Sequence, residues 1–264
     1  MEELVDGALK IITRDISLVS LLNLGMTSKR MNQFVKSELA SGWALSSLGR
    51  FIEPKLGGVS FKSFCAWLKK HNVVLSGSTL LQWALGEDYD SDLDLFCAHQ
   101  SREEFRSSSS CAIDAPKFFG TAEYFDEKSR HSAEYAKWTS STKGITKWEF
   151  YVDTFQNKIQ LIHHVRETGI EDDLAYKGLA RDSLILGNEP HNLTSLIITG
   201  IVVHTFDLEM LKNVFDGSSI YFHHFSDVAN RRMTLSLNRL FTPESRLLKY
   251  YNRGFGSRWL PNKK

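Results

Sequence analysis

Cysteine and proline are scarce in this chain, long apolar runs are missing, and charge of either sign is almost balanced. The three cysteines in 264 residues, Cys65, Cys97 and Cys111, are odd in number and lack C-x-x-C spacing. That excludes a disulfide framework and a cysteine-rich zinc module, and reads as reduced thiols. No run reaches the roughly 18 apolar residues of a membrane span, so no membrane partner is expected. The opening MEELVDGALKIITRD lacks the basic-then-apolar order of a signal peptide, so a cytoplasmic or nuclear, non-secreted protein is expected. A net charge of +1 gives no global pull toward nucleic acid, and any electropositive surface must be local. The nine histidines form neither H-E-x-x-H nor a finger. His163-His164 and His223-His224 are adjacent pairs whose side chains are expected to diverge on a strand, so zinc is not expected.

What remains is the composition of a folded protein, 42% hydrophobic and 24% charged, long enough for one sizeable core or a main domain with an appendage. The hydrophobic pattern predicts an α+β chain in three parts. Residues 1–50 read as a helical extension, with Leu4, Leu9, Ile11, Ile12, Leu18, Leu21, Leu22 and Leu24 at helical spacing and a break near Thr13-Arg14-Asp15. Residues 55–165 read as a mixed sheet backed by helices. FKSFCAWLKKHN (61–72) is an amphipathic helix, residues 79–85 a second one, and 91–98 a strand by alternation of Asp and Leu. The polar run SREEFRSSSS (101–110) reads as a loop or frayed helix end. KWEFYVDTFQNKIQLIHHV (147–165) reads as a hairpin turning at Gln156-Asn157. In the third part, 166–264, residues 167–186 read as helix and 193–206 as an apolar strand-like run. Asp216-Gly217 marks a hairpin, 227–241 reads as an amphipathic helix, and Thr242-Pro243 starts a basic helix.

Chemistry concentrates at residues 73–96. Asp92 and Asp94, two apart on a strand, point to one face, while Leu93 and Leu95 point to the other. Two like charges so placed repel, and a divalent cation relieves the cost. Magnesium takes one or two carboxylates and completes its shell with substrate phosphates, which makes phosphoryl or nucleotidyl transfer the natural chemistry. The alternative is an edge strand with a solvated polar face. Gly77 after an apolar strand allows a tight turn and close approach of a phosphate to backbone. Ser78 adds a hydroxyl, and the helix that follows offers its first amides.

Ser76-Gly77-Ser78, thirteen residues and then Asp92-Leu93-Asp94-Leu95 resembles the signature of the nucleotidyltransferase superfamily related to DNA polymerase beta. The resemblance implies a nucleotidyltransferase-like sheet backed by helices. It also implies nucleotide phosphates at Gly77 and Ser78, magnesium on Asp92 and Asp94, and a nucleoside triphosphate as substrate or ligand. A nucleoside monophosphate would pass to a hydroxyl of RNA, protein or a small molecule. Residues 1–40 resemble an F-box, which would dock on a ubiquitin-ligase adaptor, although the expected Leu-Pro opening is absent. FDLEMLKNVFDGSSIYF and RLLKYYNRGF are similar to the end of nucleotidyltransferase-like proteins from large DNA viruses and some eukaryotes.

Active members of the superfamily carry a third carboxylate on a later strand. In Ile159-Gln160-Leu161-Ile162 that position holds Gln160, which is neutral and cannot act as a base. The viral-like subgroup also reads Ile-Gln there. If the hairpin turns at Gln156-Asn157, Asp153 opposes Gln160 and can replace the missing carboxylate as a catalytic residue. Glu149 shares that face but lies further along the strand, and Asp207 is a further candidate if its strand joins the sheet. Otherwise the fold is a catalytically silent binding or adaptor protein. Arg246, Lys249, Tyr250 and Arg253 share one helix face. With Arg258 they can touch phosphates of a nucleotide or RNA, or else form a solvated face. Arg231-Arg232 are weaker candidates, and Trp148 to Phe150 read as sheet core.

Overall fold

The computed structural model describes residues 2–99, 110–120, 148–166, 183–187, 206–236, 242 and 244–256. Four helices come first: α1 (Glu2–Thr13), α2 (Leu18–Met26), α3 (Lys29–Ala40) and α4 (Trp43–Ile52). The break expected at residues 13–15 lies between α1 and α2. Serine caps set two of the starts. Ser17 Oγ accepts from the Ser20 amide at the head of α2, and Ser28 Oγ from the Met31 amide at the head of α3. These helices share the core of the rest. Helix α2 packs on α3 and on the later helix α6 (Ser78–Leu85). The Trp43 and Trp83 rings lie 6.3 Å apart, and Trp83 Nε1 donates to Ser47 Oγ at 3.1 Å.

Helix α5 (Phe61–His71), capped by Ser60, leads into β1 (Val74–Ser76), then α6 and β2 (Leu93–His99). After α7 (Ser110–Phe119) come β3 (Trp148–Phe155) and β4 (Ile159–Arg166), then β5 (Leu184–Gly187), β6 (Asn213–Phe215), β7 (Ser219–Phe222), α8 (Phe225–Ala229) and α9 (Glu244–Asn252). The strands form one mixed seven-stranded sheet in the order β3-β4-β2-β1-β6-β7-β5. Among the described strands only β2 and β4 run parallel; the other neighbours are antiparallel. The protein is therefore a mixed α+β fold with flanking helices, and strands from its C-terminal part continue the sheet beyond β1.

The register sorts the two faces. Phe215, Leu75, Leu95 and Leu161 form one row across β6, β1, β2 and β4, and Val214, Ser76, Asp94 and Gln160 form the next. Adjacent rows go to opposite faces. Helices α5 and α7 cover the apolar one. Phe61 stacks on Phe215 with centroids 5.8 Å apart, Phe64 meets Phe119 at 6.3 Å, and Phe119 meets Phe155 at 5.8 Å. Leu75, Leu95 and Leu161 beneath them are fully buried.

Four expectations need correction. The β3–β4 turn is a three-residue loop, Gln156–Lys158, not a two-residue one. Asn157 and Lys158 take φ of 60° and 58°, so the chain spends one extra residue reversing. Phe155 then pairs with Ile159, and Asp153 opposes Leu161 while Thr154 opposes Gln160. A shift of one residue moves every position to the other face. Position 153 thus falls in the row of Leu95 and Leu161, not that of Asp94. Leu184–Gly187 is strand where helix was expected, and residues 167–182 lie outside the described residues. The helix expected over 227–241 stops at Ala229, where Arg231 turns left-handed at φ 49°. Asp207 lies outside the sheet, beside the isolated Leu208–Leu235 bridge. The runs 101–109 and 193–205, and Arg258, are also outside the described residues.

The Asp216-Gly217 hairpin is as expected. Asp216 Oδ1 accepts from the amides of Ser218 and Ser219, both at 2.8 Å, which fixes the turn. Gly217 has φ 91°, and a Cβ there would stand 2.6 Å from the Cys65 carbonyl oxygen of α5. Gly217→Ala should therefore lower unfolding free energy by about 2 kcal/mol or more, from backbone strain plus overpacking. Urea denaturation measures it, and an unchanged midpoint would contradict the close contact between hairpin and α5.

Candidate functional site

Asp94 sits in the middle of the sheet because β2 pairs on both sides, with Ser76 of β1 and Gln160 of β4 opposite it. Asp92 lies just before the strand. Its backbone carbonyl accepts the Thr79 hydroxyl from the first turn of α6 at 3.2 Å. Gln160 Nε2 donates to Asp92 Oδ2 at 3.2 Å. Both aspartates are partly buried.

Gly77 brings the start of α6 to this pair. Its φ of 85° and ψ of −141° suit glycine alone, and a Cβ would stand 3.2 Å from Asp94 Oδ2. The turn is held from the far end of the chain. Gly77 N–H donates to Asn213 Oδ1 at 2.9 Å, and the Ser76 hydroxyl donates to the Asn213 carbonyl. Asn213 is fully buried. Sequence reasoning missed this residue, since nothing local marks a support 136 residues away. Ser78, the first residue of α6, is buried beside Gly77.

Helix α9 completes the surroundings. Burial, then the charge of Asp92, pushes the Asp94 carboxyl up to about 7, while Arg246 and Lys249 pull it down. Burial, then Arg253 and Arg246, pushes the Lys249 ammonium below its usual range, and Asp94 and Asp92 oppose that. The basic face predicted from spacing is thus in the electrostatic field of the carboxylates. Arg246 Nε also pairs with buried Asp207 Oδ1 at 3.1 Å. Arg253 lies over the Tyr89 ring, 4.3 Å from its centroid, and Arg231 pairs with Glu87. Asp207 is therefore a partner of Arg246, and Arg231 holds the loop before β2.

A second cluster lies at the open end of the β6–β7 hairpin. Potential ligand atoms of Glu209, His223 and His224 all fall within 4.8 Å of one another, so the cluster can hold a metal ion. The two histidines were expected to diverge along a strand, but β7 ends at Phe222. Beyond the strand, alternation no longer applies, and the two rings meet edge to face with centroids 4.6 Å apart. No helix among the described residues is long and apolar enough to cross a membrane.

No family model matches the chain, and no curated protein and no solved structure matches it.

The strained carboxylate carries a testable sign. Asp94 ionises near 3.8 when unfolded and near 7 when folded, so between those values the folded state retains a proton that the unfolded chain has lost. Stability from this group is present at low pH and is lost as pH rises from about 4 to about 7. Asp94→Asn should raise the thermal midpoint at pH 8 without divalent cations, by about 2–4 °C for each kcal/mol of relieved penalty. The gain should vanish toward pH 4. A midpoint difference independent of pH would rule out the buried, repelling carboxylate.

Proposed function

We propose that the carboxylate face binds a magnesium–nucleoside triphosphate complex, in a nucleotidyltransferase-like protein whose transfer activity is weak or lost. The observation that carries this reading is a pair of carboxylates beside a glycine-opened helix and below a basic helix face, with glutamine on the neighbouring strand. The donor set fits the ion. Oxygen ligands suit magnesium, and a cation between Asp92 and Asp94 would offset the burial and the repulsion that push the Asp94 carboxyl up. Magnesium, when bound, would neutralise phosphate charge and orient the triphosphate.

The chain's own residues divide the work. Asp92 and Asp94 hold the ion. The Gly77 position leaves room for phosphate oxygens near Asp94, with Ser78 and the α6 amides as donors. Lys249 and Arg246 supply positive charge for the phosphates, and Asp207 keeps Arg246 in place. Gln160 orients Asp92 through its amide but cannot take a proton from an acceptor hydroxyl. Asp153 does not stand opposite Gln160, so the hairpin offers no replacement base. Binding with little turnover follows.

A second reading concerns residues 1–40, where Ile11, Ile12 and Met26 are exposed by 74%, 60% and 77%. Singly exposed apolar residues are ordinary on a protein surface, so this reading rests on the F-box resemblance, which makes a ubiquitin-ligase adaptor the partner to try. Pull-down with that adaptor by wild type, lost in I11D/I12D, would support it, and no capture would reject it.

Calorimetry with ATP should show binding that requires magnesium and falls at least about tenfold in D92A/D94A, with affinity rising as pH passes 7. Radiolabel transfer from NTP to RNA or protein should stay near the D92A/D94A background, and Gln160→Asp should raise it. ATP binding that survives chelation and D92A/D94A would reject the site. Rapid transfer by wild type would reject the silent reading while leaving the nucleotide site standing.

A further inference from the structure

We propose that Glu209, His223 and His224 form a second metal site, one that takes a zinc-class transition ion rather than magnesium. The site goes beyond the nucleotide reading and does not depend on it. Two imidazoles and one carboxylate make a donor set suited to zinc, copper, iron or nickel, whereas magnesium demands oxygen ligands. Tetrahedral zinc with bonds near 2.1 Å places its ligands about 3.4 Å apart. The three side chains bring their atoms within 4.8 Å, a gap that small rotamer adjustments close.

The surroundings orient the ligands. Lys212 Nζ donates to Glu209 Oε1 at 2.7 Å and to Ser236 Oγ at 2.8 Å. Glu209 and Lys212 are both buried, and this anchor turns the other carboxylate oxygen, Oε2, toward His224 Nε2 at 3.1 Å. The Tyr221 hydroxyl meets His223 Nδ1 at 2.8 Å, the kind of outer contact that fixes a ligating imidazole's ring and tautomer. The two rings converge, with centroids 4.6 Å apart. A metal ion satisfies both rings at once by accepting a lone pair from each.

Position gives the site a consequence. Glu209 lies in the turn before β6, and His223 and His224 follow β7, where the His223 amide donates to the Lys212 carbonyl at 2.8 Å. An ion here closes the end of the hairpin opposite Asp216-Gly217. Lys212, which anchors Glu209, directly precedes Asn213, whose side chain holds the Gly77 turn. The site thus fixes the support of the carboxylate face without touching it.

The test uses the full chain, stripped with a chelator and titrated with cobalt(II), then zinc. One equivalent of cobalt should give visible ligand-field absorption, displaced by zinc and not by millimolar magnesium. H223N/H224N should weaken binding by at least about 100-fold, Glu209→Gln by about 10- to 100-fold, and D92A/D94A should leave it unchanged. Zinc should raise the thermal midpoint of wild type and of D92A/D94A, but not that of H223N/H224N. No visible band in the wild type, or an unchanged band in H223N/H224N of native circular dichroism, would overturn the proposal. Should the double variant not fold, X-ray absorption at the zinc edge of the wild type decides. Two imidazole ligands support the site and fewer overturn it.

Discussion

The pair of hydrogen bonds that Asn213 makes to Ser76 and Gly77 ties together parts of the chain that have no local reason to meet. Both acceptor atoms belong to a fully buried residue, so leaving the Gly77 amide or the Ser76 hydroxyl without them would strand a donor in the core. The bonds set β6 beside β1 in register and hold the Gly77 turn at φ 85°. That turn aims α6, and α6 in turn carries Trp83 to Trp43 and packs on α2. The N-terminal helices, the central strands and the C-terminal hairpin therefore form one packed structure around β1.

Around that frame the charges are arranged in opposition. Burial and the neighbouring charge of Asp92 disfavour the ionised form of Asp94, and Arg246 and Lys249 of α9 pull the other way. Lys249 has the mirror problem, being pushed toward neutrality by burial and by two guanidinium groups. A ligand carrying a cation and phosphates would answer both. The carboxylates need positive charge between them, and the basic helix needs negative charge beside it. Asp207 is the exception, since its pairing with Arg246 keeps one buried charge compensated without any ligand.

Much of this was legible in the sequence, and the failures share a cause. Helical spacing and the Asp216-Gly217 pair are local signals, and they located the helical character of residues 1–50, α5, α6 and the β6–β7 hairpin, while alternation located β2. Strand alternation pointed to Asp92 and Asp94 as a pair and helical spacing to the basic residues of α9, and the structure puts both groups in one electrostatic field. The Asp153 assignment failed on a single residue of loop length, because Asn157 and Lys158 both accept left-handed backbone. Asparagine does so readily; lysine gives no such warning. The 227–241 run failed similarly, its apolar period broken after Ala229 by the left-handed Arg231. His223 and His224 were dismissed by a strand rule applied one residue past the strand's end. Asn213 was invisible because its partners are fixed by tertiary structure alone.

The two candidate sites differ in chemistry for a reason built into where they lie. Asp94 is presented by a strand in mid-sheet and Asp92 by the chain just before that strand, and as metal ligands the two offer oxygen alone. Glu209, His223 and His224 come from chain segments just outside β6 and β7, where alternation lapses and adjacent histidines can converge. A hard ion suits the first and a borderline one the second. Asn213 links them, for it begins the strand that follows Glu209 and Lys212 and it holds the turn that faces Asp94. Any shift of the β6–β7 hairpin at its open end must therefore move Asn213 and pull on the Gly77 amide. That would alter the space beside Asp94, whereas changes at the carboxylates need not disturb the hairpin. Asn213 is not alone in joining the two regions, since α6 also packs on β6 and on Glu209–Leu211.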